Sequence, residues 1–328
     1  MKGRDGGVPV LGGIATGVAT AWGGLAHHYS GTALGAVRAV LAAGLVVVNG
    51  LALLAARRRP VAWLAPPLLF GGVLLWLLAL PARNDRAWQP DVAALAWAEI
   101  SGDLVTVHNV RNNLYRSERD FTVRYEDRRY SLAQLRTMDL FRSYWGAPPF
   151  AHTILSFGFD DGRFLAISVE ARKEGGEEYS ALAGFFKQYE LIYVVADEGD
   201  ATRLRANYRG EEVYLYRIRS PATTARGIFL GYLDHLNRLR DRPEWYHALT
   251  QNCTTSILGD AGPYAIRSWR SWKLLANAHL DELADDIGAI DRSLPFRDLR
   301  ARSRITDRAR AAGADPAFSR LIRRGLPI

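Results

Sequence analysis

HTILSFGFDDGRFLAISVE, residues 152–170, consists of two alternating apolar runs separated by Asp160-Asp161-Gly162. Each run has the length of a strand and the acidic-glycine triplet has turn chemistry, so the stretch predicts a β-hairpin. A three-residue loop with glycine last suits a type I turn closed by a bulge, because glycine accepts a positive φ. In that register His152 stands opposite Glu170. A two-residue turn of Asp161-Gly162 alone would instead pair His152 with Ala171 and send Glu170 to the other face. The loop type therefore bears directly on any chemistry at this hairpin.

Outward from the hairpin, residues 104–110, 121–125, 190–196 and 211–218 read as further strands. Residues 132–140 read as a short helix, followed by the aromatic run 141–145 and a turn at Pro148-Pro149. Residues 225–239 have helical periodicity, with Phe229, Leu230, Leu233 and Leu236 on one face, and residues 271–287 and 296–322 read as amphipathic helices. Strands and helices in this mixture predict an α+β fold built on an antiparallel sheet.

The front of the chain has a different composition. Residues 6–26, 39–56 and 61–82 carry no charged side chain, and each run approaches the length needed to cross a bilayer core. Arg57-Arg58-Arg59 separates the second run from the third, and basic residues favour the cytoplasmic side, so the turn is expected inside. Everything after Arg83 then lies outside the cytoplasm. The expected organisation is a membrane anchor of two or three transmembrane helices over residues 1–82, a juxtamembrane linker over 83–106, and an extracytoplasmic domain over 107–328. The implied setting is a multi-pass membrane protein with that domain outside the cytoplasm.

Composition limits the chemistry. The net charge is +8, but no basic stripe interleaved with aromatics stands out, which argues against a nucleic-acid partner. One cysteine in 328 residues rules out a disulfide within the chain, and no cysteine pair suggests zinc or redox work. No metal or cofactor is called for.

That cysteine sits in Thr250-Gln251-Asn252-Cys253-Thr254-Thr255-Ser256. A lone cysteine is ordinarily a small buried hydrophobe. It becomes a nucleophile when a helix start and a histidine favour the thiolate. Asn252 is a favoured helix cap, which would begin a helix at Cys253 and point the Cys253 and Thr254 amides toward a developing oxyanion. Of the seven histidines, His152 differs in opening a buried strand with Glu170 across from it as an orienting third residue.

Many short stretches, in order over about two thirds of the chain, resemble one family. They include Val110-Arg111-Asn112, Tyr115-Arg116-Ser117, Ser143-Tyr144-Trp145, Ala151-His152-Thr153, Ser168-Val169-Glu170-Ala171-Arg172-Lys173, Asn252-Cys253-Thr254-Thr255 and Asp315-Pro316-Ala317-Phe318-Ser319. The family is a domain of unknown function also described as the Lnb N-terminal periplasmic domain. The resemblance implies a circularly permuted papain-like fold related to the NlpC/P60 group, with the histidine strand preceding the cysteine helix. It also implies similarity to the lipoprotein N-acyltransferase Lnb, which uses a Cys/His pair to move an acyl chain from phospholipid to the amine of a lipoprotein.

On that resemblance Cys253 is the nucleophile, His152 the general base and Glu170 the third member. Trp145, Arg172 and Thr254 are expected at the substrate, and Phe185, Phe186 and Trp145 would line a lipid tunnel. The expected function is a membrane-anchored thiol acyltransferase with a phospholipid donor and a lipoprotein or other amine acceptor. A cell-wall cysteine peptidase or amidase of NlpC/P60 type is the alternative with the same residues. A non-catalytic envelope-binding domain with a merely buried cysteine is the third reading.

Overall fold

A computed structural model describes residues 7–30, 35–146, 151–251, 253, 255–256, 271, 273 and 277–327. The chain forms two units. One comprises residues 1–83 with 179–190 and 245–248, and the other 84–178, 191–244 and 249–328.

The first unit is built on three helices, α1 (Gly7–Tyr29), α2 (Gly35–Ala56) and α3 (Ala65–Ala79), the last preceded by a 3₁₀ turn over Pro60–Leu64. Two segments, Gly35–Ala56 and Pro60–Ala79, are long and apolar enough to cross a membrane. Their outward surface suits lipid, since Val40, Val46, Leu51, Leu68 and Leu75 are all exposed. Between α1 and α2 the Asn49 amide donates to Thr20 Oγ1 at 2.9 Å. Phe186 fills the interior of this unit, stacking near Trp22 and Tyr29. It is therefore core packing for the helices, and the expected tunnel lining at this residue is corrected accordingly. The Lys187 ammonium donates to the Leu78 and Leu80 carbonyls, satisfying the end of α3.

The second unit is an α+β domain on a mixed eight-stranded sheet. Its strands are β1 (Trp97–Ser101), β2 (Leu104–Arg111), β5 (Tyr125–Ser131), β6 (Leu135–Tyr144), β7 (Ala151–Phe159), β8 (Phe164–Arg172), β9 (Glu190–Asp197) and β10 (Glu212–Arg217), while β3 (Leu114–Tyr115) and β4 (Phe121–Thr122) form a separate ribbon. The order is β1-β2-β9-β8-β7-β6-β10, with β5 against β2. All strand pairs with a described register are antiparallel except β2 with β9.

The expected helix over 132–140 is a 3₁₀ turn at Leu132–Gln134 followed by β6. β6 lies between β7 and β10 and is buried on both faces, so it lacks the apolar-polar alternation that marks a half-exposed strand. Its polar residues are buried in partnerships, Asp139 with Arg217 and Arg142 with Thr153, which left the apolar spacing looking helical.

The hairpin follows the three-residue-loop register. Ile154 pairs with Ser168 and Gly158 with Phe164, while Gly162 takes φ of 79° and Phe159 N–H donates to Arg163 O. Even-numbered residues of β7 and β8 share one face. There Ile154 and Ala166 join Ile305 and, from the C-terminal helices Thr306–Ala312 and Phe318–Ile322, Ala309, Phe318 and Ile322 in one core. The opposite face packs on α4 (Ala222–Asp241), where Phe157 meets the Phe229 ring at 4.9 Å. Phe229, Tyr232 and Leu233 of α4 are fully buried. Truncating Phe229 to alanine would cost about 3–5 kcal/mol.

The expected C-terminal helices are shorter than the sequence suggested. Residues 296–322 divide into Phe296–Ser303, Thr306–Ala312 and Phe318–Ile322. Of the expected 271–287 helix, the described part is a 3₁₀ turn at Asn277–His279 and a helix over Leu280–Asp286.

Candidate active site

His152 and Glu170 are brought together by the register of the central hairpin. Their side chains share a face, and His152 Nε2 lies 3.5 Å from Glu170 Oε1. Ser168, two residues before Glu170 and thus on the same face, stands between them. His152 Nε2 is 2.6 Å from Ser168 Oγ, and the Ser168 hydroxyl donates to Glu170 Oε1 at 2.7 Å.

Glu170 is also held by Arg205, whose Nη2 donates to Oε1 at 3.2 Å, while Arg205 Nη1 lies 3.3 Å from Glu211 Oε2. Glu211 in turn accepts from the Ser143 hydroxyl, and Ser143 is the β6 partner of His152. The histidine is therefore backed by a connected polar network in which each carboxylate has both a cation and a hydroxyl.

Cys253 is helical, as are residues 255 and 256, and it is 6 % exposed. Its Sγ approaches the Ala151 carbonyl at 4.0 Å, which places it at the start of β7 beside His152. Burial pushes the thiol up, but the hydrogen bond and charge of His152, the nearby Arg142 guanidinium and a backbone hydrogen bond from Thr153 outweigh it, bringing it down to about 7 from the usual 9.

The partners shift in the matching sense. Burial and Arg205 push His152 down, yet the neighbouring Cys253 thiol and Glu170 carboxylate leave it raised. Burial pushes Glu170 up, and His152 and Arg205 hold it well below the usual carboxylate range. The arrangement favours a thiolate beside an imidazolium with an ionised carboxylate behind it.

The remaining candidates are placed differently. Asn252 and Thr254 lie outside the described residues. Trp145 is exposed at the end of β6. Arg172 is buried and its guanidinium is taken up by the chain itself. It donates to the Val92 and Ala93 carbonyls at 3.0 and 2.7 Å and lies 4.1 Å over Trp88, which ties the segment before β1 to β8. That occupancy corrects its expected role at the substrate. Other histidines are engaged elsewhere, His108 with Asp127, His235 with Tyr193 and His279 with Glu282.

Ser168, Arg205 and Glu211 were not singled out from the sequence. The strand period of two puts Ser168 beside Glu170, so it was readable once the register was chosen. Arg205 comes from a π-helical turn, Leu204–Tyr208, and no local signal connects it to residue 170.

No curated protein and no solved structure matches the chain. Residues 121–278, which contain His152, Ser168, Glu170 and Cys253, match the family model of the Lnb N-terminal periplasmic domain.

Proposed function

We propose that the protein is a membrane-anchored thiol acyltransferase acting at the outer surface of the inner membrane. The observation that carries this reading is His152 standing between the Cys253 thiol and the Ser168–Glu170 pair, with the thiol brought to about 7. The family match and two apolar helices of spanning length support a periplasmic domain on a membrane anchor. An acyl chain barely leaves lipid, so tethering the site raises its encounter rate with the donor.

Ser168 gives its own proton to Glu170 and so accepts from His152, whose imidazole takes the thiol proton. Thiolate Sγ attacks the ester carbonyl carbon of a phospholipid and forms a tetrahedral intermediate. The carbon–oxygen bond then breaks, the lysophospholipid alkoxide takes the proton from His152, and the acyl group remains on Sγ as a thioester. An amine, such as a lipoprotein N-terminus, attacks that carbonyl while His152 accepts its proton. The carbon–sulfur bond breaks and the thiolate is regenerated beside the imidazolium.

Intact-mass analysis after incubation with phospholipid tests the proposal. An adduct with the mass of one acyl chain is expected on wild type and is absent from Cys253→Ser. Release of peptides from peptidoglycan with no acyl adduct would assign the same residues to a peptidase. Neither product, with wild-type function retained in Cys253→Ala, would leave a binding domain.

A further inference from the structure

The hairpin that carries His152 and Glu170 at its open end carries a second feature at its turn. A cavity of about 940 Å³ is lined by Gly162, Arg163 and Phe164 of the hairpin, by Arg128 and Arg203, and by residues 314–320, 323 and 324 of the C-terminal segment. Nine residues separate His152 from the turn, about 30 Å at a strand rise of roughly 3.3 Å per residue. The cavity is thus separate from the thiol.

Six arginines line it, and they fall into two groups. Arg323 is neutralised from behind by Asp139 and Glu198, each at 2.6 Å. Arg128 pairs with Asp197 at 2.9 Å and Arg163 with Asp161 at 2.6 Å. Arg203, Arg320 and Arg324 have no carboxylate within ion-pair distance among the described residues. Arg203 donates to the Gly199 carbonyl at 2.9 Å and lies over the Phe318 ring, and Arg320 and Arg324 are exposed. Against these three stands Asp315, whose Oδ1 accepts the Ala317 N–H at 2.7 Å. The walls therefore hold unbalanced positive charge.

We infer that this cavity binds a phosphate-bearing ligand through Arg203, Arg320 and Arg324. Planar guanidinium forks match phosphate oxygens bidentately, and the three unbalanced cations are all arginine rather than lysine. The volume is at the upper end of the range that accommodates a cofactor-sized molecule, so the ligand is larger than one phosphate ion. Half-buried Phe164, with the Arg323 guanidinium over its ring, offers apolar surface to the rest of it. The tail stretch Asp315-Pro316-Ala317-Phe318-Ser319, which has no place in the thiol site, forms one wall.

The test is calorimetry on the full chain in dodecyl maltoside, a detergent without phosphate. Glucose 6-phosphate is compared with glucose, and phosphatidylglycerol with diacylglycerol. Tighter binding of a phosphorylated probe than of its counterpart is expected, falling at least tenfold in the Arg320→Ala/Arg324→Ala double variant. Both side chains are exposed and lack carboxylate partners, so the melting temperature of that variant should match wild type. The probe that binds identifies the source, a soluble phosphate ester or a lipid headgroup. No preference for either phosphorylated probe, or wild-type affinity in the double variant, overturns the inference. Cys253→Ser should bind as wild type does, which keeps this result independent of the acyl-transfer proposal.

Discussion

Ser168 stands between His152 and Glu170 as a hydroxyl relay, 2.6 Å from the imidazole and 2.7 Å from the carboxylate. The direct separation of 3.5 Å is too long for a good hydrogen bond, so the histidine meets its carboxylate through the serine. Ser168→Ala should lower kcat for acyl transfer by about tenfold or more, within the range of general-base effects, with KM little changed. Glu170→Gln should cost about 10²- to 10⁴-fold. Steady-state kinetics on both variants checks this, and full activity in Ser168→Ala would remove the relay.

The thiol near 7 makes a separate prediction about alkylation by iodoacetamide. The wild-type rate should rise with pH through about 7. In His152→Ala, burial is left without its main opposing influence, and the midpoint should move to 9 or above. At pH 7 that leaves about 1 % thiolate in place of about half, a fall of about 50-fold in rate. An unmoved midpoint would show that His152 does not reach the thiol.

Glu170 also links stability to pH. Its folded value is depressed, so its contribution is complete above the usual 4.5 and is lost as pH falls from there through the folded value. Wild type should melt above Glu170→Gln at pH 7, and the gap should shrink as the pH is lowered below about 4.5. A gap that is constant with pH would contradict the ionised carboxylate.

Arg323 fastens the C-terminal segment to the sheet. It pairs with Asp139 and Glu198, which are 0 % and 1 % exposed, and Ser156 adds a hydrogen bond to Glu198 at 2.6 Å. Arg323→Ala strands buried carboxylate charge and should destabilise the domain by about 3–5 kcal/mol. Denaturant unfolding of the second unit's tryptophan signal measures it.

Gly158 faces Phe164 across the hairpin. A methyl group there would meet the Phe164 ring at 2.7 Å and collide with the Thr137 hydroxyl. Gly158→Ala should cost about 1–3 kcal/mol through overpacking, read as a lower melting temperature.

The hairpin, its register and the long helix over the sheet were legible because each depends on local periodicity and turn chemistry. Gly162 at the third loop position selected the pairing that faces His152 with Glu170. The first part of β6 reads as a helix over 132–140 because burial on both faces erases the period of two. Arg205 was invisible for a different reason. Its contact with Glu170 spans 35 residues and depends on how a π-helical turn is seated, which no window of sequence encodes. The role expected of Arg172 rested on its place in a matching motif, whereas burial had already committed its donors to backbone carbonyls.

The burial of Cys253 and His152, at 6 % and 9 % exposure, has an energetic consequence for the two halves of the proposed reaction. A thiolate and an imidazolium away from water are costly to maintain. Acylation turns the first into a neutral thioester, and loss of the proton to the departing alkoxide turns the second into neutral imidazole. The interior thereby sheds a pair of charges when the acyl chain arrives and must regain it when the chain leaves. On the proposed mechanism deacylation would then be the slower half, and the acyl-enzyme should accumulate as a pre-steady-state burst.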